Sequence, residues 1–301
     1  MHKIVAGVDG SRASLWALRW ALHEASLRGI PLHVARIFRP AGWGDEENGR
    51  THATAGPELA RLLAYVRSGC PQWSPPEVVP VSIQGEPIAV LAELVDEYDL
   101  LVVGAHGKNA AERIALGSVS TWAVRKAPCP VTVIPGPRQI GEADPAAVLD
   151  RWDSDTAGPG LGVVAGVDGS ERSAQALGWA IGHAGVHGLP LSVVHAWRSA
   201  EGTAGADSLA ARAWRREDAD LARQVAQEMV DKALADRTEP VPVPVGVSTV
   251  EGDPATVLTN LSHGAHGLVV GRRGHNVHWR VIGGVTSHVV HHAGCPVTVV
   301  P

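Results

Sequence analysis

Glycines, an aspartate and serines at fixed spacing are the residues of this chain best suited to hold a phosphate group. Asp9-Gly10-Ser11 follows one short apolar run, and Gly104 and Gly107 follow another. The second set continues to Gly117-Ser118-Val119-Ser120, at the predicted start of a helix. Glycine lets a backbone approach a ligand closely, and free N–H groups at a helix N-terminus attract phosphate. The spacing therefore predicts a phosphate cradle to which the two serines add hydroxyl donors.

The same residue pattern recurs in the second half of the chain. Residues 4–11, IVAGVDGS, return as VVAGVDGS at 163–170, and PCPVTVIP at 128–135 returns as GCPVTVVP at 294–301. A shared order of landmarks over this length predicts two copies of one domain. The cradle residues of the second copy are Asp168, Gly271, Gly274, Gly283 and Thr286.

The second copy departs from the first inside the cradle. Aligned on the Cys-Pro motifs, eight residues separate its second and third cradle glycines where the first copy has nine, and Gly284 replaces Ser118. Aligned instead on Gly284, the spacing of nine is restored, but Val285 then stands where a serine or threonine is needed. Either alignment removes one hydroxyl donor, so we expect weaker binding in the second copy.

Alternating strands and helices must position these residues. The first copy has predicted strands at 3–9, 31–38, 77–83, 100–104 and 130–134, with helices at 12–28, 53–68, 87–98 and 118–126. This alternation predicts an α/β fold with a mostly parallel sheet covered on both faces. Right-handed crossovers leave few topologies, of which we favour the flavodoxin-like order 3-2-1-4-5. Strands 1 and 4 then meet where the strand order reverses, which is the usual ligand site of such sheets.

The domain boundaries follow from the repeats. Residues 1–135 and 161–301 form the two predicted domains, and 136–160, rich in Pro, Gly and Asp, are predicted to be a linker. The second domain follows the same path as the first, with a longer and highly charged middle helix at about 207–237.

Composition excludes several classes of function. Of 301 residues, 45% are hydrophobic and 19% charged, and the net charge of −5 without a Lys/Arg run predicts no nucleic-acid partner. No apolar run approaches the ~20 residues of a membrane helix, and the N-terminal residues lack a signal-peptide layout. The sequence therefore predicts a cytoplasmic protein without a membrane partner.

Cysteines and histidines do not predict a metal or disulfide site. Three cysteines are too few for a disulfide framework, and Cys129 and Cys295 are expected to be small buried residues. His288, His291 and His292 have a helical spacing that can chelate zinc. Structural zinc sites usually have four protein ligands, so we predict a packed or solvated helix face there and no metal.

The motifs resemble those of the universal stress protein family. In the first copy the matching segments are VDGS at 8–11, GEP at 85–87, VVGAHGKNAAERIALGSVS at 102–120 and APCPVTVI at 127–134. In the second they are VDGS at 167–170, VVHAW at 193–197, GDP at 252–254, VVGRRGHN at 269–276 and GCPVTVV at 294–300. The resemblance covers both repeats and implies a tandem universal stress protein with two Rossmann-like, five-stranded domains whose final strands pair.

The resemblance also implies a cofactor, ATP, with Mg²⁺ as an optional companion ion. In the family, the aspartate after strand 1 and the Gly-x2-Gly-x9-Gly-[ST] segment hold the ribose and phosphates, and a backbone position late in strand 2 meets the adenine. Carried over to the first copy, these residues are Asp9, Ala35, Gly104, Gly107, Gly117, Ser118, Val119 and Ser120. In the second copy they are Asp168, Val194, Gly271, Gly274, Gly283 and Thr286.

An ATP-binding regulatory protein of the stress response, acting on an unidentified protein partner, is the favoured interpretation. The alternatives are a slow ATPase and an interaction module without nucleotide. Each aspartate is the only carboxylate that the motifs place at its cradle, so at most weak ATP hydrolysis is expected. Because exposed strand edges invite pairing, the repeats are predicted to form an intramolecular pseudo-dimer through their last strands. The sequence leaves open whether two chains form a homodimer.

Overall fold

A computed structural model describes residues 3–38, 55–68, 74–95, 100–107, 116–136, 162–198, 209–238, 240–274 and 282–301. The chain divides into two compact units, Met1–Asp153 and Ser154–Pro301, here called the first and second unit. The predicted linker at 136–160 lies almost entirely outside the described residues, so its limits stay a prediction.

The first unit is a parallel sheet flanked by helices. Its strands are β1 (Ile4–Gly7), β2 (Leu32–Phe38), β3 (Val78–Gln84), β4 (Leu100–Gly104) and β5 (Val131–Ile134). Its helices are α1 (Arg12–Arg28), α2 (Ala55–Ser68), α3 (Pro87–Leu94) and α4 (Ser118–Lys126). The strand order is β3-β2-β1-β4-β5, and all pairs are parallel. The predicted fold class and strand order are confirmed.

The second unit repeats this architecture. Its strands are β6 (Val163–Gly166), β7 (Leu191–Trp197), β8 (Val245–Glu251), β9 (Gly267–Gly271) and β10 (Val297–Val300). Its helices are α5 (Glu171–His187), α6 (Leu209–Ala235), α7 (Pro254–Ser262) and α8 (Gly284–His292). The order β8-β7-β6-β9-β10 is again entirely parallel. Pairing between the final strands of the two repeats stays a prediction.

The sequence marks both ends of the first helix in each unit. The Ser11 hydroxyl caps α1 by accepting from the Ser14 N–H at 3.2 Å, and Gly29 closes the helix with φ of 63°. Ser170 and Gly188 do the same for α5. A serine N-cap satisfies a helix N–H group, and glycine adopts the left-handed C-cap conformation without strain.

The central strands form the core of each unit. Every residue of β4, β5, β9 and β10 is buried, as expected for strands covered by helices on both faces. Helix α1 packs against β4, and α5 packs against β9. Burial holds the carboxyl ends of β1 and β4, and of β6 and β9, in fixed positions. These four ends carry the cradle residues.

One predicted helix is shorter than expected. The helix starting at Pro87 was predicted to continue to about residue 98, but α3 ends at Leu94 with Val95 as its C-cap. Residues 96–99 lie outside the described part of the chain.

Candidate functional site

The candidate site of the first unit lies where the strand order reverses. Strand β1 pairs with β2 along one of its edges and with β4 along the other. The chain leaves β1 toward β2. Loops leaving the carboxyl ends of two such strands diverge and open a crevice. Asp9 follows β1, and the segment Gly104–Gly107 begins with the last residue of β4, so the structure brings the two predicted motifs together.

Asp9 is held by the turn that starts α1. Its Oδ1 accepts the Ser11 N–H at 2.9 Å, while its own N–H donates to the Ser14 hydroxyl at 3.3 Å. The Ser11 hydroxyl also reaches the His106 carbonyl oxygen at 3.2 Å. This contact connects the loop after β1 to the loop after β4. The carboxylate of Asp9 is therefore fixed at the crevice.

Two of the cradle glycines lie in close approach to other groups of the protein. A Cβ at Gly104 would lie 2.7 Å from the backbone carbonyl carbon of Ala13, so β4 can meet the start of α1 only without a side chain. A Cβ at Gly107 would lie 2.7 Å from Oδ2 of Asp9. Gly107 therefore brings bare backbone against the carboxylate, and a larger residue would displace it.

Gly117 differs, because the protein itself leaves room for a side chain there. The nearest atoms to a Cβ would be the Ala105 oxygen and the Gly107 nitrogen, both at 3.6 Å, an ordinary contact distance. Its φ of −62° and ψ of 159° suit any residue. Its N–H donates to the Ala105 carbonyl at 2.8 Å, which joins the start of α4 to the loop after β4. A side chain at Gly117 would thus point at the cradle loop.

The N-terminus of α4 has the character of an anion site. Gly117 is its N-cap and gives no side-chain cap, and the first turn contains no acidic residue. N–H groups at a helix start carry partial positive charge. Ser118 is exposed at the first helical position and Val119 is half-buried at the second. This arrangement is chemically suited to bind phosphate oxygens.

Ser120 has a different role from the predicted free donor. Its side chain is only 3% exposed, and its hydroxyl donates to the Gly104 carbonyl at 2.6 Å. A serine hydroxyl has a single hydrogen to donate, so this hydrogen is already used. Ser120 fixes α4 to the end of β4, and the predicted hydroxyl donation to phosphate is left to Ser118.

The structure of the second unit decides between the two sequence alignments. The Thr286 hydroxyl donates to the Gly271 carbonyl at 2.7 Å, as Ser120 does to Gly104, and Gly283 is the N-cap of α8. The Gly283 N–H donates to the Arg272 carbonyl at 3.0 Å, as Gly117 does to Ala105. The alignment on the Cys-Pro motifs is therefore correct, and Gly284 occupies the Ser118 position.

The remaining predicted residues of the second cradle occupy equivalent places. Asp168 Oδ1 accepts the Ser170 N–H at 3.0 Å, and a Cβ at Gly274 would collide with Oδ2 of Asp168. A Cβ at Gly271 would lie 3.1 Å from the Arg172 carbonyl oxygen. The second cradle thus keeps the backbone geometry of the first but lacks one hydroxyl.

The predicted adenine contacts lie inside the sheet. The Ala35 carbonyl accepts the Val8 N–H at 2.9 Å, and the Val194 carbonyl accepts the Val167 N–H at 3.0 Å. Both residues also pair with a second neighbouring strand, and both are buried. These backbone groups are engaged within the sheet, so base contact at Ala35 and Val194 stays a prediction.

A cleft that the sequence analysis did not identify lies beside Asp168 in the second unit. It has a volume of about 390 Å³, and its lining includes Asp168, Gly169, His195, Trp197 and Leu221. Helix α6 forms one wall, and the His195 ring is positioned by a 3.1 Å contact between Nδ1 and the Ala222 carbonyl oxygen. An aromatic wall beside a carboxylate suits a nucleoside. Trp197 at the end of a predicted strand was the available signal.

The histidines of α8 form a surface pair. His288 and His292 are exposed and stack with ring centroids 4.2 Å apart. Nδ1 of His291 lies 2.5 Å from the Ser287 carbonyl oxygen, and Nδ1 of His292 lies 2.8 Å from that of His288. The helical spacing predicted from the sequence is therefore present at the C-terminal end of α8.

Comparison with known proteins identifies the family. The family model described as "Universal stress protein family" matches residues 1–135 and 162–301, so the chain belongs to this family. Universal stress protein Rv2005c of Mycobacterium tuberculosis is 30% identical over 313 residues, covering 99% of this chain and 96% of that protein. Universal stress protein Rv2623 of the same organism is 28% identical, covering 98% and 95%.

A solved structure supports the fold. A universal stress protein from Archaeoglobus fulgidus has a TM-score of 0.62 at 17% identity, covering 99% of this chain and 97% of that one. Among the helices that the structure describes, none is long and apolar enough to cross a membrane.

Proposed function

We propose that this universal stress protein binds ATP at the first-unit cradle and regulates a protein partner according to its nucleotide state. The observation that carries the proposal is the uncapped N-terminus of α4, which lies against the Gly104–Gly107 loop beside the fixed carboxylate of Asp9. Backbone N–H groups of the helix and loop bind the phosphates, and Ser118 adds a hydroxyl. Mg²⁺ enters with the triphosphate.

Asp9 is suited to the ribose rather than to the phosphates. One carboxylate oxygen accepts the Ser11 N–H, and the other faces the Gly107 backbone. A carboxylate accepts hydrogen bonds from hydroxyl groups and repels phosphate oxygens. Asp9 therefore orients the nucleoside end of the ligand, with the triphosphate directed toward α4.

The second unit binds the same ligand in its own cradle and cleft. The cleft beside Asp168 offers Trp197 and His195 to a base, and the α8 N-terminus has neither a side-chain cap nor an acidic first turn. Arg272 and Arg273 follow β9 and add positive charge close to this cradle. Arg272 is buried and Arg273 is half-buried, so their charges are screened by salt less than those of surface side chains, and they support the backbone N–H groups in binding phosphate.

Equilibrium dialysis of the full chain with labelled ATP tests the proposal. Inorganic triphosphate and adenosine serve as separate probes, since the first occupies only the cradle and the second only the nucleoside end. Mass analysis of small molecules that co-purify with the protein identifies the natural ligand. We expect saturable ATP binding for which triphosphate competes. Asp9→Asn should weaken the binding of adenosine more than the binding of triphosphate. Absence of saturable ATP binding would favour an interaction module.

Hydrolysis is the property that separates a regulator from an enzyme. At each cradle, the motifs contribute one aspartate, and phosphoryl transfer to water needs a group that positions the attacking water. We therefore propose slow hydrolysis at most. Phosphate release measured at saturating ATP, with Asp9→Asn as the matched control, tests this. Multiple turnovers per second that Asp9→Asn abolishes would make the protein an ATPase.

A cytoplasmic location and an intramolecular pseudo-dimer complete the proposal. Both β5 and β10 are short strands of mostly apolar residues, and each is paired on one side with β4 or β9. A strand edge of this kind favours pairing with another strand. Light scattering of the full chain would show whether two chains also associate.

A further inference from the structure

We propose that the second-unit cleft selects its nucleotide by the amino group of the base, and that His195 and Asp218 recognise this group. The inference rests on the proposed function, because it concerns the ligand of the same site, and it adds which feature of the base the cleft requires. Adenine carries such an amino group. A purine of the same shape without this group should bind more weakly in the second unit.

The cleft is a slot between one face of β7 and one face of α6. His195 and Trp197 are two residues apart on β7, so their side chains leave the same face of the sheet. The lining residues of α6 are spaced at i, i+3, i+4 and i+7, which places them on one side of the helix: Asp218, Leu221, Ala222 and Val225. A slot between two facing walls suits a flat ring.

The walls of the slot expose apolar surface. Leu221 lines the cleft and is 60% exposed, although it is a large apolar side chain. Trp197 and Val225 line the same cleft and are half-buried. A base that occupies the cleft would remove part of this apolar surface from water. Hydrophobic burial therefore favours an occupied cleft, and an indole wall favours an aromatic occupant.

His195 provides a hydrogen-bond acceptor in the cleft. Its Nδ1 lies 3.1 Å from the Ala222 carbonyl oxygen, and a carbonyl only accepts, so Nδ1 carries the hydrogen. In the neutral ring, Nε2 is then an acceptor. The same contact fixes the ring to α6, so the acceptor is in place before the ligand arrives. Such preorganisation lowers the entropy that binding costs.

The remaining polar side chains of the cleft are mostly acceptors as well. Asp168 and Asp218 contribute carboxylates, each of which accepts several hydrogen bonds and donates none. Arg198 brings donors, but its guanidinium forms an ion pair with Asp253. A ligand edge that carries donors therefore matches this cleft better than an edge that carries acceptors.

An exocyclic amino group is a donor edge of this kind. Asp168 has the place of Asp9, whose carboxylate is suited to ribose hydroxyls, so Asp218 is left for the base. An amino group has two N–H donors, and the cleft has two acceptors for them, His195 Nε2 and the Asp218 carboxylate. A base without the amino group covers these acceptors without replacing their hydrogen bonds to water, which costs affinity.

The first unit carries a donor at the position of His195. Strands β2 and β7 have the same length and the same burial pattern, and Arg36 on β2 corresponds to His195 on β7. A guanidinium donates hydrogen bonds and accepts none. The acceptor is therefore particular to the second unit, and His195→Arg places the residue type of the first unit there.

The experiment compares ATP with purine riboside triphosphate, which has a hydrogen in place of the amino group. Both are titrated by calorimetry into the full chain carrying Gly117→Val, so that the second-unit site is observed, at pH 8 to favour neutral imidazole. We expect ATP to bind about tenfold more tightly than the analogue. Asp218→Ala and His195→Arg should each reduce this ratio by about threefold or more. Asp220→Ala is the matched control, since Asp220 is exposed on the same helix outside the cleft lining, and it should keep the ratio.

Three outcomes would overturn the inference. Equal affinities for ATP and the analogue would show that the cleft does not recognise the amino group, and the proposed nucleotide function would still stand. A preference that is unchanged in both Asp218→Ala and His195→Arg would assign the recognition to other groups. Absence of saturable binding by either nucleotide would overturn the proposed function of the second unit together with this inference. If His195→Arg does not fold, Asp218→Ala decides alone, because alanine is well tolerated in a helix.

Discussion

Substitution of Gly117 by valine should strongly weaken ATP binding at the first unit while leaving the fold intact. A Cβ at this position meets no protein atom closer than 3.6 Å, and the backbone angles suit valine. The extra methyl groups instead fill the space between the α4 N-terminus and the Gly104–Gly107 loop. Blocking two hydrogen bonds to charged oxygens, at about 1.5–3 kcal/mol each, weakens binding roughly a hundredfold or more.

Two matched variants separate a loss of ATP binding from a loss of stability. Ser118→Ala removes one exposed hydroxyl, so its loss should be about tenfold at most. Gly104→Ala places a Cβ 2.7 Å from the Ala13 backbone, and such overpacking typically costs about 1–3 kcal/mol of stability. We expect binding loss without instability in Gly117→Val, and instability in Gly104→Ala.

The assay is calorimetric titration of ATP in a Gly283→Val background, so that only the first-unit site is observed. Thermal unfolding of each protein records its stability. Equal and small losses of affinity for Gly117→Val and Ser118→Ala would refute the backbone cradle. A large drop in Tm for Gly117→Val would show that the residue serves the fold rather than the ligand.

Three further outcomes are expected. The site left in Gly117→Val should bind ATP more weakly than the site left in Gly283→Val, and equal affinities in parallel titrations would contradict this asymmetry. Asp253→Ala should lower the free energy of unfolding by about 1 kcal/mol, because its carboxylate caps α7 by accepting the Thr256 N–H at 3.0 Å. In the folded protein, that hydrogen bond lowers the pKa of Asp253 from its ordinary value of 3.8. In urea unfolding, the loss of stability caused by Asp253→Ala should therefore be complete above pH 3.8 and should disappear as the pH falls through the lowered pKa. Burial strongly raises the pKa of the Cys295 thiol, so peptide mapping should find it unmodified by iodoacetamide at pH 8 until the protein unfolds.

Local sequence signals were sufficient for most of the fold. Apolar runs separated by helical segments define the strands, and the parallel order follows because crossover connections allow few arrangements. Ser11 was identifiable as a cap from its position after Asp-Gly. The end of α3 was not identifiable from the sequence, since the apolar periodicity continues past Leu94.

The candidate site was predictable in outline but not in the roles of its hydroxyls. Ser118 and Ser120 look equivalent as donors in the sequence. Side chains that are two residues apart on a helix point to different faces. Ser118 therefore faces solvent while Ser120 reaches the Gly104 carbonyl. The cleft beside Asp168 depends on how α6 packs over the end of β7, which no local spacing encodes.

Equivalent positions on the first helix of each unit carry unlike side chains: Glu24 and Arg28 form an ion pair on α1, whereas the rings of His183 and His187 lie in contact on α5. This difference has an evolutionary consequence. In an assembly of two identical chains, any mutation appears in both copies, and a change that harms one site harms the other. A gene that carries both copies in one reading frame removes this constraint. One copy can keep an inherited ion pair while the other explores new chemistry, and the resulting pair of unlike units is transmitted as a single heritable trait.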